Sequence, residues 1–231
     1  MKVIKVLALG IILAGTSPLS YSVKAADTDV ATSTNSIRFT ADDGQTNPVD
    51  PEDPDNPSPG TPVDPEDSGN GGTGNSGALT LDYVSNIQFG TQKIGSGTIA
   101  YYAKNKNPFV QVTDKRGTGE GWSLKARATE FKSRDGKVLA GAVLSFRNGQ
   151  VKSQSGNVSA PPAAYDVVFD NKDAQLVMVA GNGAGRGTWI DVFSGTDGNN
   201  GNVQLQVLAG SADALTDYSA VITWVLSNAP S

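Results

Sequence analysis

From Leu79 onward the chain repeats one device, a short run of alternating apolar and polar residues closed by glycine or asparagine. Nine runs follow this rule: LTLDYV, PFVQVTD, GWSLKARATEF, VLAGAVLSF, AYDVVF, AQLVMVA, TWIDVF, VQLQVLA and YSAVITWVL. Alternation with a period of two is the mark of a strand buried on one face, and these runs are rich in Val, Thr and aromatic residues. No helical periodicity competes with them. The pattern predicts an all-β fold, an antiparallel β-sandwich. Asp197 to Asn202, DGNNGN, supplies residues that tolerate positive φ and predicts a tight hairpin rather than a metal loop.

Two runs share a Trp-x-Leu spacing, Trp122-Ser123-Leu124 and Trp224-Val225-Leu226. Residues i and i+2 of a strand project to the same face, so each motif places two large apolar groups together. Trp122, Leu124, Ala126 and Ala128 face one way, against Ser123, Lys125, Arg127 and Thr129. Burial of an aromatic ring and a leucine contributes about 1.5 to 3 kcal/mol each, which favours a core position for both motifs. Aromatic faces also stack on sugar rings. Gly117, Gly119 and Gly121 precede Trp122, and Gly183, Gly185 and Gly187 precede Trp189. Such glycines favour some exposure of the rings and a backbone that approaches a ligand. Arg116, Trp122, Arg186 and Trp189 are therefore candidate surface contacts. GNGAGRG lacks the following Lys-Ser/Thr and the helix of a phosphate cradle.

The chain contains no histidine and no cysteine. That removes the imidazole acid/base, the thiolate nucleophile, Cys/His zinc sites and disulfides, and no cofactor is expected. Carboxylate chemistry of the glycosidase type survives, with Asp170 and Asp173, or Asp114 and Glu120, as nominees. Turn or surface roles are favoured for these four, so the expectation is a protein that is not an enzyme.

Four segments follow from composition. Residues 1–26 read as a signal peptide, with Lys2 and Lys5 ahead of an apolar run too short to span a membrane, and Ala25 and Ala26 at the cleavage site. Residues 27–41 contain NSIRFTA, where Ile37, Phe39 and Ala41 alternate with Arg38 and Thr40 as a short strand. Residues 42–77 are rich in Pro, Asp, Gly and Asn, repeat PVDPED, and have only Val49 and Val63 as large apolar residues. They are expected to be a disordered, self-repelling spacer rather than a calcium site. The sandwich is expected over residues 78–231.

Net charge is −5 overall and unevenly spread: −10 over residues 27–77, +7 over residues 104–152 and −5 over residues 153–231. The basic stretch, with Lys125 and Arg127 on one strand, is either a set of solvated faces or a surface for an anionic polymer. Nothing resembles a nucleic-acid recognition motif.

RGTGEGWSL, the terminal YSAVITWVLSNAP, LTLDYVSNIQFGTQKI after the spacer and GNGAGRGTW together resemble the WxL domain of surface proteins from low-GC Gram-positive bacteria. The similarity covers essentially the whole chain after the leader. It implies a secreted protein held non-covalently at the cell wall by binding peptidoglycan, and assembled with companion surface proteins in adhesion to host extracellular surfaces. The signature positions are Trp122, Leu124, Trp224 and Leu226. The absence of an LPxTG-like sorting motif, a hydrophobic tail and a lipobox cysteine accords with attachment by affinity. A second reading is an assembly protein that captures a partner by strand addition. A carboxylate-dependent glycan hydrolase ranks last.

Overall fold

The computed structural model describes residues 31–57, 64–170 and 173–228. It divides into two compact units, residues 1–38 and residues 39–231. Of the first, only residues 31–38 are described, without regular structure and exposed. The expected signal peptide lies outside the described residues.

The second unit is built of strands. In chain order they are β1 (Leu79–Val84), β2 (Ile99–Ala103), β3 (Phe109–Asp114), β4 (Trp122–Ala128), β5 (Val143–Phe146) and β6 (Gln150–Ser153). These are followed by β7 (Ala163–Ala164), β8 (Val167–Phe169), β9 (Gln175–Ala180), β10 (Gly187–Val192), β11 (Asn200–Val207) and β12 (Ile222–Ser227). They form three antiparallel sheets, ordered β1-β3-β10-β6, β2-β11-β5-β8 and β12-β4-β9-β7. The sheets pack as a sandwich around one core, to which each contributes: Val110, Val112 and Trp189 from the first, Leu144, Phe146 and Val203 from the second, Trp122, Leu124 and Met178 from the third.

Every one of the nine alternating runs contains a strand. The turn at Asp197-Gly198 is tight, with the Asn199 amide on the Thr196 carbonyl at 3.0 Å and Gly198 at φ 70°. The strands it joins, β10 and β11, belong to different sheets, so it turns a corner of the sandwich instead of closing a hairpin ladder.

Residues 42–77 depart from expectation. Their described part is a folded strap over the outer face of β1, β3 and β10. Strand β3 is buried on both sides. Val110 and Val112 point into the main core, whereas Phe109 points outward into a second cluster with Tyr83, Ile190 and Val192. Val49 of the strap packs on that cluster. The strap holds on by polar contacts: the Val49 amide donates to Gln111 Oε1 (2.8 Å), and Gln111 Nε2 donates to the Asn47 carbonyl (3.0 Å). Lys152 Nζ reaches the Pro51 carbonyl (2.8 Å), Asn105 Nδ2 reaches Asp64 Oδ2 (2.8 Å) and the Asn86 amide reaches Asp67 Oδ2 (2.8 Å).

The repeat explains why so polar a segment takes a shape. Asp50 Oδ1 accepts from the Glu52 amide (2.8 Å), and Asp64 Oδ1 in the second copy accepts from the Glu66 amide (3.0 Å). In both copies an asparagine six residues on closes the next turn, Asn56 onto the Asp53 carbonyl and Asn70 onto the Asp67 carbonyl, each at 3.0 Å. Aspartate side chains that bind the backbone two residues ahead fix turns without any core, and proline restricts the chain further. The second copy carries a short 3-10 helix, Pro65–Asp67, capped by Asp64. A segment unable to build a core of its own thus completes one on a neighbouring sheet.

The strand expected over residues 36–41 is not formed. Residues 31–43 have no ladder partner among the described residues, and Ile37 and Phe39 are 79% and 83% exposed.

Candidate wall-binding site

The two Trp-x-Leu motifs lie on adjacent antiparallel strands. Leu226 is opposite Leu124, Trp224 opposite Ala126 and Ser227 opposite Ser123. Because β4 is internal and β12 is the sheet edge, equal motifs have unequal surroundings. Trp122 and Leu124 are fully buried, whereas Trp224 and Leu226 are half-buried against the same core. Trp224 meets Phe146 edge-on, with ring centroids 6.5 Å apart. A bulge in β9 beside Leu124 turns both Val177 and Met178 into the interior.

The glycines near the tryptophans admit the rings to the core; they do not expose them. Trp122 Nε1 donates to the Gly185 carbonyl at 3.0 Å. Gly185 has φ 74°, and a Cβ there would stand 2.6 Å from that nitrogen. At Gly121, with φ 79°, a Cβ would stand 2.2 Å from the Ala180 carbonyl oxygen. Trp189, 6% exposed, donates from its indole to the Arg186 carbonyl at 2.9 Å. Neither Trp122 nor Trp189 presents a ring on which a sugar could stack, which corrects their nomination as wall contacts.

Arg116 is also committed inward. Its guanidinium forms a two-pronged pair with Asp114, Nε to Oδ1 at 2.9 Å and Nη2 to Oδ2 at 2.7 Å, and Asp114 is inaccessible to solvent. Nη2 also donates to the Gly121 carbonyl (2.8 Å), just ahead of Trp122. Nη1 reaches the Asn228 carbonyl (3.4 Å), just after β12. One side chain therefore ties together the flanks of both motifs. The bonds to Asp114 raise the Arg116 pKa above its ordinary value. Asp114 is accordingly a structural partner, and Glu120 stands beside it, exposed, 3.6 Å from the same guanidinium.

The residues left at the surface are Lys125, Arg127 and Arg186. Arg186 lies exposed across Gly119, with Nη2 on the Thr118 carbonyl at 3.4 Å. Lys125, half-buried, and Arg127, exposed, stand on the outer face of β4. Beside them is a shallow depression of about 340 Å³ lined by Arg127, Thr129, Glu130, Lys132 and Thr223. Lys132 pairs with Glu130 at 3.1 Å, and Arg127 has no ion pair among the described residues. The alternation along β4 pointed to Lys125 and Arg127. It could not supply Thr223, which lies opposite Arg127 only through the pairing of β12 with β4.

One buried acid belongs to none of this. Asp191, on the core side of β10, is fully buried, and neither carboxyl oxygen has a hydrogen-bond partner. Desolvation, and then the charge of Asp166, push its pKa up to about 7. Among the described residues no group of three or more acidic side chains is placed to hold a metal ion, and no helix is long and apolar enough to cross a membrane.

No curated protein and no solved structure matches the chain. A family model described as WxL domain, surface cell wall-binding, matches residues 26–230, so strap and sandwich fall within a single family unit. The match spans the paired motifs on β4 and β12, and the chain belongs to the WxL family of surface, cell wall-binding domains.

Proposed function

We propose that this domain holds an anionic wall polymer, peptidoglycan or a polymer attached to it, on the outer face of β4 and β12, and so retains companion surface proteins of an adhesion complex at the wall. The observation that carries the reading is Arg127, exposed and outside any ion pair among the described residues, beside Lys125 and the depression that Lys132 and Thr223 line. An exposed, unpaired guanidinium can offer parallel N–H donors to a carboxylate or phosphate without first breaking an internal contact. The buried tryptophans then serve attachment by holding that face flat and in register.

Cosedimentation with purified peptidoglycan, before and after removal of covalently attached polyanions, tests it. The chain from residue 27 onward sediments with the wall, and Lys125→Glu with Arg127→Glu weakens this at least about tenfold at an unchanged melting temperature. Added salt weakens it further, as exposed charge contacts require. Undiminished sedimentation of the double variant would remove this face from the mechanism.

A second reading, partner capture by strand addition, is favoured by a specific observation, the open edge of β12.

A further inference from the structure

Strand β12 is an edge strand whose outer side has no hydrogen-bonded strand among the described residues. The Thr129 amide donates to the Val221 carbonyl at 2.9 Å, which fixes the phase of the ladder. Thr223, Val225 and Ser227 therefore bond to β4, and Ile222, Trp224 and Leu226 direct their N–H and C=O groups away from it. The same three residues point their side chains into the core and are only half-buried, since no strand lies beyond them among the described residues. The other six-residue edge, β1, is covered: Thr73 and Asn70 of the strap bond to its Asp82, Leu81 and Val84 carbonyls. An open, apolar edge of this length is a template for another strand.

The chain also carries an alternating segment without regular structure and without a sheet. Ile37, Phe39 and Ala41 alternate with Arg38 and Thr40, and the two large apolar groups are 79% and 83% exposed. We propose that residues 37–41 of one copy add to the free edge of β12 in a second copy, so that molecules join head to tail.

The source of the strand follows from the tether. Ala41 is followed at once by Asp42, which Lys115 clasps (Nζ to Oδ2, 3.0 Å; Nζ to the Gly44 carbonyl, 2.7 Å). Lys115 adjoins Arg116, whose guanidinium reaches Asn228. A copy's own segment therefore enters at the C-terminal end of β12 and could run only parallel to it. A segment from a second molecule is free of that constraint and takes the antiparallel arrangement, the more stable of the two. With Ile37 and Phe39 turned inward beside Trp224, Arg38 falls on the outer face that holds Lys125 and Arg127, and the basic face grows with each addition. The contact is heterologous, and it gives a ring or an open chain according to whether the rotation closes.

The absence of cysteine gives a clean test. Chains from residue 27 onward carrying Thr40→Cys are mixed under oxidising conditions with chains carrying Thr223→Cys or Val225→Cys, with no wall material present. The expected result is a covalent heterodimer for at least one mixture, lost when Phe39→Asp is added to the Thr40→Cys chain. Sedimentation velocity of the cysteine-free chain shows association that rises with concentration, and Phe39→Asp weakens it at least about tenfold at an unchanged melting temperature. Monomer at every concentration, or a cross-link formed only within a double-cysteine chain, would overturn the proposal. Neither readout depends on wall binding, so the two ideas fail separately.

Discussion

Leu226 lies directly across from Leu124 in the β4–β12 ladder, in a position where the two strands exchange no hydrogen bond and their side chains approach most closely. The two motifs thus meet leucine to leucine, with Trp122 and Trp224 set diagonally on either side. The pairing places one tryptophan on an internal strand and the other on the edge.

That asymmetry predicts unequal mutational costs. Trp122→Ala should lower unfolding stability by about 3 to 5 kcal/mol, since it empties a fully buried site and strips the Gly185 carbonyl of its donor. Trp224→Ala, at the half-buried edge, should cost roughly half as much. Urea unfolding of the two variants measures the difference; equal costs would contradict the edge position of β12.

Arg116 should behave as a staple. Arg116→Ala leaves the Asp114 carboxylate buried without its partner and frees the Gly121 and Asn228 carbonyls, at a cost of about 3 to 5 kcal/mol. Arg116→Lys recovers only part of it, because one ammonium cannot reproduce the two-pronged contact. Hydrogen exchange is the sensitive readout: protection of β12 amides falls in Arg116→Ala before that of β9.

Asp191 predicts a dependence on pH. Its folded pKa is raised from 3.8 to about 7, so the folded state holds a proton that the unfolded state gives up near pH 4. Its contribution to stability is therefore greatest below about pH 4 and declines as pH rises towards about 7. Asp42 and Glu52, whose pKa values are lowered mainly by the Gly44 amide and by Lys106 respectively, act in the opposite sense and lose their contribution as pH falls through the acid range. Asp191→Asn should abolish the decline between about pH 4 and pH 7 and gain on the order of a few kcal/mol at pH 8. Thermal melts across that range decide; parallel profiles for the two proteins would mean that the carboxyl has a partner in solution.

The strap should respond to one side chain on the sheet. Gln111→Ala removes its bonds to Val49 and Asn47 and one donor to Asp82. Proteolysis within residues 45–57 should accelerate while the sandwich stays intact, with a loss of about 1 to 3 kcal/mol. An unchanged cleavage rate would show that the strap is held by other contacts.

How legible these features were depended on the side chain each uses. Strands with one apolar face, such as β3 and β4, were plain from their alternation. β2, IAYYA, was not, because apolar residues occupy both of its faces and Tyr102 is exposed. β6, QVKS, was missed because it has a single apolar residue. The strap was misread for a physical reason: its composition cannot make a core, but Val49 needs only to cover one already half-made by Tyr83, Phe109, Ile190 and Val192. The warning lay in the sheet, where Asp82, Gln111 and Thr113 stand at positions that need polar partners when covered, and those partners are distant in sequence. At the candidate site, alternation identified Lys125 and Arg127. The burial of Trp122 and Trp189 turned on glycine conformations that composition alone does not reveal.

The strap also has a mechanical side. Tension applied to the chain ahead of Asp42 falls first on the Lys115 clasp and then on hydrogen bonds that open one after another, each turn of the PVDPED repeat separately. The 36 residues from Asp42 to Gly77 would pay out on the order of 120 Å of extended chain before β1 is loaded. A wall-held domain so built would yield in steps under shear, and its sandwich, with the paired motifs inside, would be the last part to feel the pull.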